Sequence, residues 1–332
     1  MNPDAGRTWH YRDFYRPAGT PPVEDLPAWL VVGNCQAEAL RIVLDAVVDR
    51  PYRTVRMPPV HELGPADLPH LARVLAETAV LLCQPIRAGY RGLPIGTADL
   101  TVALPPAATT IRWPVLRYAG LYPFQVIVRD PADRAATPPA VPYHDLRTLA
   151  AARDVLGPGG ERDVDDWDVD DWDVDDWDVE VSAEQIRGVG DASLAELCFR
   201  ENRDTDVGVS DAISAFGAAA AHTINHPGNP VLVELANRIL TLRGVSARAV
   251  DPQRDLLSSV YAPLEGRVLS ALDLTAPVRP AWRLGDRELS TRSVHVAQLD
   301  WYVNNPDYIR LAQERHGGTM DILGLSRPRI SR

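Results

Sequence analysis

No lysine occurs among the 332 residues, so all 34 basic side chains are arginine, and every fixed cation is a planar fork suited to phosphate or carboxylate. Cysteine is scarce as well. Cys35, Cys83 and Cys198 are too few and too scattered for a disulfide framework, which suits a reducing cytoplasm. No apolar run reaches the length that spans a bilayer, and residues 1 to 28, rich in Arg, Pro and Asp, lack the apolar stretch of a secretory signal. The expectation is a soluble, cytoplasmic chain. A glycine-rich phosphate loop of the dinucleotide or nucleoside triphosphate type is missing, which argues against those cofactors. His222 and His226 are the one near pair of ligand type, and Pro227 drives the residue before it out of helical geometry, so no metal is expected. Without a basic run, nucleic acid is not an expected partner.

The formal charge of −11 is concentrated in one place. From Glu161 to Glu180 the unit Asp163-Val164-Asp165-Asp166-Trp167 repeats through Trp172 and Trp177, and this segment carries the whole of that charge. A five-residue period fits neither helix nor strand, and dense like charge opposes compaction, so 161–180 reads as a disordered insertion. The rest of the chain is formally neutral and long enough for one large α/β domain with an extension. The expected division is an irregular arm over 1–27, an α/β domain over 28–245 and a C-terminal extension over 246–332.

The organising stretch is Trp29 to Arg41. Trp29-Leu30-Val31-Val32 reads as a buried strand and the residues after Gln36 have helical period, which makes Gly33-Asn34-Cys35-Gln36 the turn between them. Cys35 then sits at a helix N-terminus, where a thiolate is stabilised and alkylation below neutral pH is expected to outpace that of Cys83 or Cys198. The other reading is a small buried residue behind the strand. Strands over 52–57 and 78–85 and a helix over 66–77 continue the alternation, which argues for a parallel sheet with a site above its strand ends. Gln84, Arg87, Tyr90, Arg91 and Thr97 lie in the loop after the third strand. Arg87 and Arg91 are candidates for phosphate groups or simply a solvated face. His226-Pro227 precedes an amphipathic helix over 231–243, a common location for a catalytic base. Beyond Gly244, a helix over 256–272 interrupted near Pro263, a hairpin at Gly285-Asp286, a strand over 294–302 and a helix over 306–316 are expected. Trp301, Tyr302 and Tyr308 suit either sugar stacking or core packing.

Gly33-Asn34-Cys35-Gln36, Gln84-Pro85-Ile86 with Tyr90-Arg91, and His222-Thr223-Ile224-Asn225-His226-Pro227 together resemble the WcbI family of polysaccharide-biosynthesis proteins, over about residues 28 to 275. The resemblance implies a coenzyme A dependent acetyltransferase with a glycan or sugar acceptor, taking coenzyme A or acetyl-coenzyme A as a substrate. Gly33, Asn34, Gln36, Arg87, Tyr90, Arg91 and His222 would line the coenzyme. A looser similarity is to the SGNH hydrolases, which implies a three-layer sandwich with a parallel central sheet, flavodoxin-like in plan, plus a small α+β C-terminal extension. In that comparison Cys35 replaces the nucleophilic serine, Gln84 stands where a side-chain amide serves the oxyanion and His226 is the base. Thr223 occupies the position of the aspartate, so His222, Asp206 or Asp211 would have to orient the imidazole. An acyl esterase using the same Cys/His pair and a non-catalytic coenzyme A or glycan binder are the alternatives.

Overall fold

The computed structural model describes residues 3–22, 24–133, 136–157 and 178–327. In chain order they form α1 (Pro3–His10), β1 (Ala28–Val32), α2 (Cys35–Asp45), β2 (Arg53–Val55), α3 (Leu68–Ala76), β3 (Thr78–Cys83), α4 (Thr97–Val102) and β4 (Thr109–Arg112). There follow β5 (Gln125–Val126), β6 (His144–Asp145), α5 (Leu146–Leu156), α6 (Ala183–Asp204), α7 (Ser210–Ile213), β7 (Ala221–Thr223), β8 (His226–Pro227) and α8 (Asn229–Leu242). The chain ends with β9 (Val260–Tyr261), α9 (Gly266–Ala271), β10 (Ala281–Leu284), β11 (Arg287–Ser290), α10 (Thr291–Val303) and α11 (Asp307–Leu323). Contacts gather these elements into two compact units, Met1–Arg117 with Ala195–Ala220 and His226–Leu257, and Tyr118–Leu194 with Ala221–Asn225 and Ser258–Arg332. The units interleave along the chain, unlike the sequential division at residue 245.

The first unit is built on a parallel sheet of order β2-β1-β3-β4. All five residues of β1 are buried, because a central parallel strand is covered on both faces. On one face Leu30, Val32, Leu81 and Cys83 pack with Leu71 and Val74 of α3, Leu100 of α4 and Phe14. The arm is thus neither wholly irregular nor loose, since it begins with α1 and buries Phe14 completely. On the other face Trp29 stacks on Tyr52 at 3.9 Å, and the Tyr52 hydroxyl donates to the Leu44 carbonyl of α2 at 2.9 Å. Helices α2 and α8 pack against each other. This is a three-layer α/β sandwich, and because β2 and β3 flank β1 on opposite sides, its topological switch point lies between β1 and β3.

The second unit is α+β. Antiparallel β9, β10 and β11 form one sheet, with Gly285 at φ 56° turning the hairpin as expected, and α5, α10 and α11 enclose the main apolar cluster. Residues 294–302 are helix α10 and not a strand. Val294, His295, Gln298, Leu299, Tyr302 and Val303 are buried at helical spacing, and the Ser293 N–H donates to the Ser290 hydroxyl at 3.0 Å as an N-cap. The β-branched residues suggested the strand, but burial period and cap decide. Between residues 256 and 272 the helix is confined to α9. Tyr302 and Tyr308 are buried and stack on His144 with centroids 5.7 and 5.6 Å away, so they are packing residues and not a sugar platform.

His144 receives a hydrogen bond at Nδ1 from the Tyr302 hydroxyl, 2.6 Å away, because its Nε2–H must donate to the Val128 carbonyl at 3.2 Å. Burial lowers its pKa to about 4. A depressed histidine stabilises the fold fully above its unfolded value near 6.5, and that contribution is lost as pH falls toward 4, about 3 kcal/mol in all. Urea midpoints measured from pH 7 to 4.5 are expected to fall, with a shallower fall in His144→Gln.

Most of the acidic insertion of 161–180, namely residues 161–177, lies outside the described residues. Its last aspartate does not. Asp178 accepts from Arg147 Nη1 at 2.9 Å and from Arg267 Nη2 at 2.7 Å. Arg147 is buried, lies 4.0 Å over the Phe124 ring and also pairs with Asp145 and Glu265 at 2.7 and 3.0 Å. Deleting residues 163–177 is expected to leave the urea midpoint unchanged, whereas Asp178→Asn should cost about 1 kcal/mol, since Arg147 keeps two other carboxylates.

Candidate functional site at the switch point

The chain passes from β1 into α2 through Gly33 and Asn34. The Asn34 side chain caps the helix by accepting the Gln36 N–H at 2.9 Å. Gly33 is required for space, because a Cβ there would lie 2.5 Å from Gln84 Oε1. That oxygen accepts the Asn34 N–H at 2.9 Å, while Gln84 Nε2 donates to Gln36 Oε1 at 3.0 Å and, more weakly, toward the Pro114 carbonyl at 3.4 Å. Gln36 is tied onward, donating to the Leu116 carbonyl at 2.7 Å and accepting the Leu116 N–H at 3.0 Å. Gln36 and Gln84 are both buried, so their amides brace the turn between β1, β3 and the segment after β4. In this arrangement the Gln84 N–H group serves Gln36 and is not presented to an oxyanion.

Cys35 is half-buried at the first position of α2. Burial pushes its thiol pKa above the ordinary value, and the N–H groups of Cys35 and Gln36 only partly counteract this. The sequence-based expectation of a thiolate below neutral pH is therefore corrected: desolvation outweighs the helix terminus. Cys83 is fully buried and pushed up to about 12, while Cys198 is exposed.

The loop after Gln84 is pinned at its base. The Thr97 hydroxyl accepts the Ile86 N–H at 2.9 Å and donates to the Gln84 carbonyl at 3.2 Å. Gly96 lets the loop close, as a Cβ there would come within 2.9 Å of the Ala88 backbone. Arg87 and Arg91 are exposed, and Arg91 adopts a left-handed backbone with φ 55°. Neither makes an ion pair among the described residues, so both guanidinium groups face solvent on a loop leading directly from the switch point. Tyr90 is half-buried beside them.

His226 belongs to the same unit as Cys35 and precedes α8. Its backbone is held by Gly228, whose N–H donates to the Ala220 carbonyl at 2.9 Å and where a Cβ would fall 2.0 Å from the Ala219 oxygen. Asn229 then ties residues 251–256 to the start of α8, donating to Asp251 and the Arg254 carbonyl and accepting the Leu256 N–H at 3.0 Å. The two aspartates considered for orienting the imidazole are committed elsewhere. Asp206 accepts from Arg112 at 2.7 and 3.1 Å, and Asp211 from Arg238 at 2.6 and 2.9 Å. His222 falls in the second unit, its ring 4.5 Å from that of Tyr261, and Tyr143 donates to Asn225 at 2.8 Å in the same unit. The structure thus unites Gly33, Asn34, Cys35, Gln36 and Gln84 in one set. Thr97 is legible in the sequence as part of the loop after Gln84 but its pinning role is not, and the braces at Leu116 and Tyr143 are missed, since only the proximity of distant segments reveals them.

Among the described residues no group of three or more His, Cys, Asp or Glu is placed to hold a metal ion, and no helix is long and apolar enough to cross a membrane. A doubly wound parallel sheet with a capped Gly-Asn-Cys-Gln turn at its switch point defines an α/β protein of the class whose ligands bind outside the carboxyl ends of the strands. The chain belongs to the WcbI family of polysaccharide biosynthesis enzymes, whose profile matches residues 28–248. A solved structure of WcbI, described as native protein without a disulfide bond between coenzyme A and one of its cysteines, shares the fold with a TM-score of 0.71. It is 20% identical over 91% of this chain and 99% of that one. No curated protein matches.

Proposed function

We propose that this polysaccharide biosynthesis enzyme transfers an acetyl group from acetyl-coenzyme A to a hydroxyl of a glycan or sugar precursor, with Cys35 at the acyl site and His226 as base. The observation that carries the reading is a half-buried cysteine on a helix-capping turn at the switch point, in a fold whose solved relative is described as native protein without a disulfide bond between coenzyme A and a cysteine. Asn34 and Gln36 have their N–H groups taken by Gln84 and by the Asn34 side chain, which leaves the Cys35 N–H as the turn's donor for an oxyanion. In a relay, His226 takes the Cys35 proton, the sulfur attacks the thioester carbonyl, the bond to the coenzyme sulfur breaks and that sulfur leaves as the thiol with the proton from His226. His226 next accepts the acceptor hydroxyl proton, the alkoxide attacks the acetyl-cysteine and Cys35 leaves as the thiol. The Gln84 amide, committed to Gln36, would not serve as an oxyanion donor in the manner of an SGNH hydrolase.

Arg87 and Arg91 are assigned to the coenzyme phosphates, with Tyr90 beside them, because they are exposed forks on the pinned loop with no ion pair among the described residues. Coenzyme A at millimolar concentration is expected to raise the melting temperature, and the double variant Arg87→Ala/Arg91→Ala should weaken binding about tenfold or more. No stabilisation of the unaltered protein would overturn the reading.

A further inference from the structure

The first unit carries a second polar site at the opposite ends of its strands. Where Arg53 opens β2, a cavity of about 240 Å³ lies between the N-terminal arm and the C-terminal ends of α2 and α3. The Gly33–Gln36 turn follows the carboxyl end of β1 and contributes no residue to this cavity. Arg12, Arg16, Arg41, Arg50, Arg53 and Arg73 line the cavity. Four carboxylates share its wall, so the lining residues alone carry an excess of two positive charges, with Glu38 holding Arg41 from outside it at 2.7 and 3.0 Å. Glu77 is divided among Arg16, Arg53 and Arg73, and it reaches Arg53 only at 3.4 Å. Glu24 and Asp45 both serve Arg50 at 3.1 Å.

The Nε–H groups of Arg50, Arg53 and Arg73 are buried, with no hydrogen-bond acceptor among the described residues. Buried donors in native proteins are almost always satisfied, so three of them on residues that line one cavity mark a region short of acceptors. Five lining residues, Arg12, Asp13, Arg16, Pro22 and Glu24, belong to the N-terminal arm, before the region that matches the family.

We propose that this cavity binds a phosphomonoester dianion, whose charge matches the excess of two and whose three terminal oxygens accept from the arginine forks. A carboxylate offers half the charge and two oxygens. The space is below that of ordinary drug-sized pockets, and it suits a phosphate group or a small sugar phosphate.

Isothermal titration at pH 7.5 and constant ionic strength tests this with inorganic phosphate and glucose 1-phosphate as probes. Saturable binding is expected, weakened about tenfold or more in Arg53→Met. In Glu77→Gln binding should tighten severalfold, because a competing carboxylate is removed from Arg53 and Arg73. Tighter binding of glucose 1-phosphate would assign a sugar phosphate, and equal or tighter binding of inorganic phosphate would assign the free ion. No saturable binding of either probe, or affinity unchanged in whichever of the two variants folds, would overturn the proposal.

Discussion

Cys35→Ala is expected to lower acetyl transfer at least a hundredfold while changing coenzyme A affinity less than about threefold, because the proposed relay loses its sulfur and the loop of Arg87 and Arg91 is untouched. His226→Ala should cost a similar factor, within the usual range for loss of a general base. The two variants separate by pH. Burial raises the Cys35 thiol above its ordinary range, so without His226 the residual rate should climb continuously through alkaline pH as thiolate appears. Cys35→Ala should show no such climb. Iodoacetamide at pH 7.5 should label Cys198 first, Cys35 more slowly and Cys83 last, with coenzyme A protecting Cys35. Full activity in Cys35→Ala would exclude the covalent relay, and His226 would then activate the acceptor hydroxyl for direct attack on the bound thioester.

Gly228→Ala is expected to be the most damaging small substitution near the site. The added methyl would meet the backbone oxygen of Ala219 at 2.0 Å, and a carbonyl within the turn Ser214–Ala219 cannot rotate aside as a side chain can. The start of α8 would have to shift, breaking the Gly228 to Ala220 hydrogen bond and carrying His226 with it. A loss of about 3 kcal/mol is expected from overpacking, read from the urea midpoint, together with a fall in kcat. Gly33→Ala should be milder. Its methyl meets the end of the Gln84 side chain, which can swing away at the cost of its hydrogen bonds, about 1–2 kcal/mol. Equal urea midpoints for Gly228→Ala and the unaltered protein would show that the turn is softer than its geometry implies.

The local units of the site are written in the sequence. An apolar run, a Gly-Asn-Cys-Gln turn and a helical period define β1, the cap and α2, because strand burial and helix capping depend on neighbours in the chain. The Gly-Asp hairpin and the helix after His226-Pro227 were legible for the same reason. Tertiary structure decided what depends on distant segments. Burial, a property of surroundings, turned the Cys35 thiol upward against the helix terminus, and the Gln36–Gln84 brace exists only because β3 and residue 116 come alongside the turn. Burial period and a serine cap made residues 291–303 a helix despite their β-branched members, and Asp206 and Asp211 went to arginines 94 and 27 residues away. The sequence by itself determined the parallel α/β plan and marked Cys35 and His226 as candidate site residues. Which side chains are desolvated, paired or left as donors was set by the packed fold, since those energies depend on what lies within a few ångströms in space and not along the chain.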